Sequence, residues 1–246
     1  MRVAGRELVG DLSIEVHAGS FICVLGTNGV GKTLTLHTLA GLRPPWQGEI
    51  NINGDLLSQL PRKETARRLG LLLQIHDDAF PLTVMDSVLM GRYPHASVWQ
   101  WPNEEDREMV RQALLSLDLR HLEDRLITSL SGGERERVAI ATILVQNPAI
   151  WLLDEPTNHL DPHHQLVVLD LLKQLTQEQR IVVTTVHNPA LAMRYADQVL
   201  LLYGEGQWEF GPAKDLLEPS RLQRIYQTPF EYFQNKAGDR TVLLPA

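Results

Sequence analysis

Phe21-Ile22-Cys23-Val24-Leu25-Gly26-Thr27-Asn28-Gly29-Val30-Gly31-Lys32-Thr33 decides the fold. The first five residues form a compact apolar run, partly β-branched, that ends at a glycine, as a strand buried on both faces of a sheet does. Gly26 to Thr33 has the spacing of a phosphate-binding P-loop. Its glycines let backbone amides converge on phosphate oxygens, Lys32 reaches the terminal phosphates, and the Thr33 hydroxyl ligates magnesium. From Lys32 to Leu42, leucines recur at 34, 36, 39 and 42, a helix-compatible pattern stopped by Pro44-Pro45. Strand, glycine loop and helix N-terminus stand in the order this chemistry requires, because free amides and the helix dipole both favour an anion.

Outward from that core, Glu49 to Gly54 alternates and then turns, which predicts an antiparallel strand and a mixed sheet near the start of the chain. Leu69 to Ile75 is a further apolar run leading to the polar His76-Asp77-Asp78, a strand that ends in an exposed loop. Between Thr83 and about Ile143 the pattern is mainly helical, most clearly over Glu104 to Leu117, and predicts an inserted helical subdomain. Ala149 to Leu153, Ile181 to Thr185 and Gln198 to Tyr203 read as strands. The helical stretch Pro162 to Gln179 separates the first two, as a parallel βαβ unit requires. Gln207 to Phe210 follows a Gly-Glu-Gly turn. From about residue 220 a C-terminal extension closes with a hairpin, Phe230 to Phe233 and Thr241 to Leu244 flanking Asn235 to Asp239. The predicted class is α/β: a P-loop NTPase core with a mixed sheet, an antiparallel β portion and a helical subdomain, all in one domain over 1–246.

Composition agrees. With 246 residues, 43% hydrophobic and 22% charged, the chain suits an ordinary globular domain with a sizeable core. Lys plus Arg number 23 against 30 Asp plus Glu, so a net charge of -7 disfavours nonspecific binding of nucleic acid or anionic lipid. The single cysteine, Cys23, lies on a predicted buried strand and reads as a small core residue that needs no oxidising compartment. No window approaches the roughly 18 consecutive apolar residues of a membrane span, and the opening residues have no apolar core of the kind a secretory signal needs.

Two further segments carry chemistry. Ala149 to Leu153 ends in Asp154-Glu155, and parallel strands of open α/β sheets place their C-terminal ends at the ligand crevice. Asp154 can then hold the water shell of magnesium, and Glu155 can orient and polarise a water for in-line attack on a γ-phosphate. Alone, the pair would read as a solvated acidic cap. Leu130-Ser131-Gly132-Gly133-Glu134 precedes a helix through Val138 to Ala141, which sets Ser131 and two bare-backbone glycines at a second helix N-terminus. One nucleotide has no obvious need for two such cradles.

These motifs together resemble the ATP-binding subunits of ABC transporters, over essentially the whole chain. The resemblance rests on Gly26 to Thr33, Gln74, Leu130 to Glu134, Asp154-Glu155-Pro156-Thr157, Asn158-His159-Leu160-Asp161 and His187, in the family's order. It implies a head-to-tail homodimer in which Ser131, Gly132 and Gly133 of one copy close over the γ-phosphate held by the other's Gly26, Thr27, Asn28, Gly29, Val30, Gly31, Lys32 and Thr33. It implies Glu155 and His187 as the catalytic pair, Thr33, Gln74 and Asp154 around Mg2+, and Asp161 in communication between the two sites. ATP is the implied substrate, and nucleic acid is not an implied partner. His159, His163 and His164, within or just after the linking loop, are read as solvated or interface residues, with no zinc assigned. Trp99 and Trp101 are candidates for a partner-facing surface or for packing of the subdomain.

Residues 73–76, 83–88 and 91–94, with Asp161 to Gln165 and the tail after Leu222, resemble the subgroup that imports metal chelates: ferric siderophores, haem and cobalamin. That implies a separate integral membrane permease, an external substrate-binding protein acting indirectly, and a peripheral place on the cytoplasmic face of the membrane. A different class is a soluble ABC-type ATPase for cofactor or iron–sulfur assembly, which a permease partner would rule out. A third reading is a nucleotide-dependent switch with negligible hydrolysis, against which Lys32, Asp154, Glu155 and His187 all speak. One departure stands out: the family's adenine-stacking aromatic falls near Val3 when Leu12-Ser13-Ile14 is aligned with the family's strand, and no aromatic precedes Phe21. Either weaker apolar contacts hold adenine, or the start lacks an N-terminal strand.

Overall fold

Alternation along the strand Phe21–Leu25 organises the molecule. In the computed structural model, which describes residues 2–3, 6–74, 81–96, 102–234 and 241–246, with side chains from Leu8 onward, every residue of this strand is buried. Phe21, Cys23 and Leu25 face one apolar core, while Ile22 and Val24 face a second on the other side of the sheet.

In chain order the elements are β1 (Arg2–Val3), β2 (Arg6–Glu7), β3 (Phe21–Leu25), α1 (Lys32–Leu39), β4 (Asn51–Ile52), β5 (Asp55–Leu56), α2 (Arg62–Arg68), β6 (Leu69–Leu72), α3 (Val84–Leu89), α4 (Glu104–Ser116), α5 (Gly132–Gln146) and β7 (Ile150–Leu153). The remainder are α6 (Pro162–Gln177), β8 (Ile181–Thr185), α7 (Pro189–Tyr195), β9 (Gln198–Gly204), β10 (Gln207–Pro212), α8 (Ala213–Leu216), α9 (Pro219–Tyr226), β11 (Phe230–Gln234) and β12 (Thr241–Pro245).

Six strands make the main sheet in the order β10-β9-β3-β8-β7-β6. All neighbours run parallel except β10, which turns back on β9 through Gly204-Glu205-Gly206. The sheet is therefore mixed, as expected, but its antiparallel strand comes late in the chain. The expected strand at Glu49 to Gly54 is instead half of a separate two-stranded hairpin, β4 with β5. Leu12-Ser13-Ile14, aligned above with a strand, runs as irregular chain. Two further expectations shorten: β6 stops at Leu72, and α1 stops at Leu39 because Gly41, at φ +71°, turns left-handed ahead of the prolines.

The larger core continues from the sheet into α3, α4 and α5, joining Trp151 and Leu153 to Val88, Val110, Leu114 and Val138. The smaller core lies under α1 and takes in Leu8, Val9, Ile52 and Leu57. Trp151 is fully buried, its indole N–H donating to the Pro148 carbonyl at 3.1 Å. Cys23 is buried and its thiol is pushed far above the usual range by desolvation, consistent with a packing role. Strands β11 and β12 pair in register from Phe230↔Pro245 to Gln234↔Thr241, so the expected terminal hairpin forms. The turn at Asn235 to Asp239, together with His76, Trp99 and Trp101, lies outside the described residues.

Candidate nucleotide site

Parallel pairing of β6, β7, β8 and β3 brings their C-terminal ends to one edge of the sheet, and each of those ends carries a residue singled out from sequence. Gln74 follows β6, Asp154 and Glu155 follow β7, His187 follows β8, and the glycine loop follows β3.

The loop is built so that only glycine fits at critical points. A Cβ at Gly26 would lie 2.7 Å from Val30 Cγ1 and 2.9 Å from the Leu202 carbonyl. Gly31, at φ +115°, turns the chain directly into α1 with Leu8 packed against it. No side chain caps α1 and no acid stands in its first turn, so its leading amides remain available to an anion. Lys32 is buried and curls back over the loop, donating to the carbonyls of Gly26 at 3.0 Å and Thr27 at 3.3 Å. Burial pulls its ammonium below the usual lysine range, and the charges of Glu155 and Asp154 oppose that pull.

Asp154 has no solvent exposure. Its Oδ2 accepts from the Thr33 hydroxyl at 2.5 Å and its Oδ1 from the Thr185 hydroxyl at 2.7 Å. Thr185 also accepts the Glu155 N–H at 2.7 Å, so one hydroxyl on β8 locks both acidic residues at the end of β7. Thr185 was not among the residues expected from sequence. Its signal is the polar pair Thr184-Thr185 that closes an otherwise apolar strand, but only the β7/β8 register shows which acids it meets.

Glu155 adopts φ +56°, an uncommon conformation for a non-glycine residue, and is itself buried. Three polar groups converge on its carboxylate: the Gln74 amide at 2.8 Å, the Asn158 amide, and His187 Nε2 at 2.5 Å. The structure thus brings together Lys32, Thr33, Gln74, Asp154, Glu155 and His187. A cavity of about 230 Å³ adjoins the loop between Thr27 to Val30, Leu8 and Tyr203 to Glu205. A larger cleft of about 540 Å³, between α4 and α6, contains none of these groups.

The second cradle stands apart. Ser131 caps α5 in a reciprocal box with Glu134: its hydroxyl accepts the Glu134 N–H at 3.3 Å, and its own N–H donates to the Glu134 carboxylate at 2.7 Å. Those bonds hold the Glu134 carboxyl below the usual range. Among the described residues, no hydrogen bond or ion pair joins Ser131, Gly132 or Gly133 to the glycine loop. A Cβ at Gly133 would lie 2.8 Å from the His159 carbonyl, so the turn 158–161 packs directly on the start of α5. Asp161 caps α6, accepting the His164 backbone N–H at 3.0 Å and pairing with the His164 ring at 2.7 Å, which keeps its carboxyl below the usual range. His159 is exposed and stands 3.9 Å from the buried Glu136, whose carboxyl burial raises to about 7.

A phosphate loop, a buried strand-end acid pair and a separate serine-glycine helix N-terminus, on a sheet of this order, define the ATP-binding subunits of ABC transporters. Residues 9–158 match the ABC transporter family, and the chain belongs to it. It is 37% identical over 224 residues to the ferric enterobactin transport ATP-binding protein FepC of Escherichia coli, covering 90% of this chain and 83% of that one. It is 36% identical over 234 residues to the hemin import ATP-binding protein HmuV of Pseudomonas entomophila, covering 92% and 89%. A chain from a metal-chelate type ABC transporter in an inward-facing conformation superposes with a TM-score of 0.82 at 33% identity, covering 96% of this chain and 89% of that one.

Proposed function

We propose that this protein is the ATP-hydrolysing subunit that energises import of a metal chelate, a ferric siderophore, haem or cobalamin, through a separate permease. The observation that carries the ATPase part is the buried Glu155 carboxylate gathered by Gln74, Asn158 and His187 beside Lys32 and Asp154. The chelate part rests on the relatives' siderophore and haem import names, which favour it over a soluble assembly ATPase.

Lys32 releases the Gly26 and Thr27 carbonyls and turns to the β- and γ-phosphates, while the amides of Gly29 to Thr33 take the phosphate oxygens. The residues fit Mg2+ as well: Thr33 and Asp154 present hard oxygen donors 2.5 Å apart, and Gln74 adds a carbonyl nearby. When bound, Mg2+ would neutralise phosphate charge as the terminal group is transferred. Glu155 exchanges one of its amide donors for the attacking water and takes its proton as the new O–P bond forms and the bridging O–P bond breaks. His187 holds Glu155 and contacts the γ-phosphate.

Ser131, Gly132 and Gly133 of a second copy complete the site in trans, and Asp161, packed through the 158–161 turn onto α5, links one site to the other. The chain is one ABC-type unit over 1–246, with residues 83–143 as a helical lobe and 220–246 as the C-terminal extension. No described helix is long and apolar enough to cross a membrane. The subunit attaches peripherally, through the permease, to the cytoplasmic face of the inner membrane, and an external binding protein delivers the chelate. Reconstitution with the permease in liposomes tests this: ATP-dependent uptake of a chelate with wild type, and none with Glu155→Gln, is the expected result. Turnover retained by Glu155→Gln removes Glu155 from the role assigned to it.

A further inference from the structure

The helix that carries Ser131, Gly132 and Gly133 at its start is tied down at its far end by one side chain. Gln146 is the last residue of α5, and its amide Nε2 donates to the Ala66 carbonyl at 2.6 Å and to the Leu69 carbonyl at 3.0 Å. Ala66 lies in the last turn of α2, where helix carbonyls run out of donors within the helix, and Leu69 opens β6, the edge strand of the main sheet. The amide therefore fastens α5 to the α2–β6 junction. The backbone of the same helix end is held from the segment after α3: His95 Nε2 pairs with the Gln146 carbonyl at 2.8 Å, and Arg92 Nη1 donates to the Val145 carbonyl at 3.3 Å. Packing here leaves no slack, since a Cβ at Gly70 would lie 2.5 Å from Ile143 Cγ2 and one at Gly91 2.2 Å from the Thr142 carbonyl.

The start of α5 is mounted differently. The Ser131–Glu134 box is internal to the helix, and Gly133 closely approaches the turn 158–161. Val138, Ile140 and Ile143 hold α5 against the larger core, but apolar packing is non-directional, whereas one planar amide on two fixed carbonyls sets both position and orientation. The 15 residues of α5 span about 22 Å, so a tilt of about 3° at Gln146 moves the other end by about 1 Å. A misplacement of about 1 Å can cost a reacting site on the order of 100-fold in rate.

We propose that Gln146 is a positioning residue for the shared nucleotide site: by pinning the end of α5 to α2 and β6, its amide sets the direction in which Ser131, Gly132 and Gly133 are presented to the nucleotide held by a second copy. Gln146 touches neither nucleotide nor reacting atoms and acts through α5. The inference rests on the reading of Ser131 to Gly133 as the part of the site supplied in trans.

The test compares wild type with Gln146→Met, which keeps the length of the side chain but has no donor, and with Ile143→Val, which thins the neighbouring packing and leaves the amide in place. Each is made in the full chain, alone and together with Glu155→Gln, and the measurements are the Kd for ATP, kcat at saturating ATP, Tm, and ATP-dependent dimerisation by sedimentation. Gln146→Met should lower kcat about 5- to 20-fold with the Kd for ATP within about twofold, and in the Glu155→Gln background it should raise the monomer–dimer Kd about tenfold. Ile143→Val should lower Tm and keep kcat within about twofold. Wild-type kcat in Gln146→Met overturns the proposal, as does an equal fall in Ile143→Val, which would reduce the effect to stability, or a loss of ATP binding in Gln146→Met. The Glu155→Gln background separates the two levels: if it binds ATP to saturation and never dimerises, the shared-site reading itself fails, whereas a dimer that forms as tightly with Gln146→Met as without it sinks only the role of Gln146.

Discussion

The two phosphate-seeking helix ends of this molecule differ in what surrounds them. At the start of α1 every charged group has a partner within the chain: Lys32 on loop carbonyls, Asp154 on two hydroxyls, Glu155 on three donors. At the start of α5, Ser131 is satisfied by its own first turn, and among the described residues no hydrogen bond or ion pair joins the two glycines after it to Lys32, Asp154 or Glu155. In the proposed function the first end binds and cuts and the second covers the nucleotide held by another copy.

The sharpest way to break that comparison is to damage each end in turn. Lys32→Ala should weaken ATP binding about 100-fold and abolish turnover, as measured by equilibrium binding and phosphate release. Gly133→Ala, whose Cβ would meet the His159 carbonyl at 2.8 Å, should lower turnover about 10- to 100-fold while ATP binding per chain stays unchanged. Equal loss of binding in both variants would put the two ends in one pocket.

Thr185→Val sharpens the first end. It leaves the buried Asp154 short of a donor and the Glu155 N–H without its acceptor, which should cost about 2 kcal/mol and lower Tm by about 4–8 °C. An unchanged melting curve would show that the hydroxyl is not what locks the pair.

The smallest effect concerns Glu136, on α5 beside His159. Its folded pKa of about 7 lies above the ordinary carboxylate value of 4.5, so the folded protein takes up a proton there that the unfolded chain does not. Its contribution is present below pH 4.5 and is lost as pH rises through 7. Glu136→Gln should accordingly raise Tm by about 2–4 °C at pH 8 and by little at pH 5, in calorimetric scans at both values.

Much of this was legible in the sequence because it is local. The P-loop announces itself by spacing, and the β7 acids by an apolar run that ends abruptly. Thr185 was not legible, since its partner, Asp154, lies 31 positions away and is met only through strand order. The strand expected at Glu49 to Gly54 had the right alternation, but alternation cannot say which sheet a strand joins, and two residues of ladder with β5 satisfied it. The aromatic expected near Val3 is absent from the sequence. The residue packed against Gly31 of the loop is Leu8.

Sedimentation of Glu155→Gln with and without excess ATP and Mg2+ tests the central claim most directly, because blocked hydrolysis should trap two copies closed over nucleotide. A shift from monomer to dimer that requires ATP, and that Gly133→Ala in the same background abolishes, is the predicted result. A chain that binds ATP to saturation yet stays monomeric would contradict a site shared between two copies.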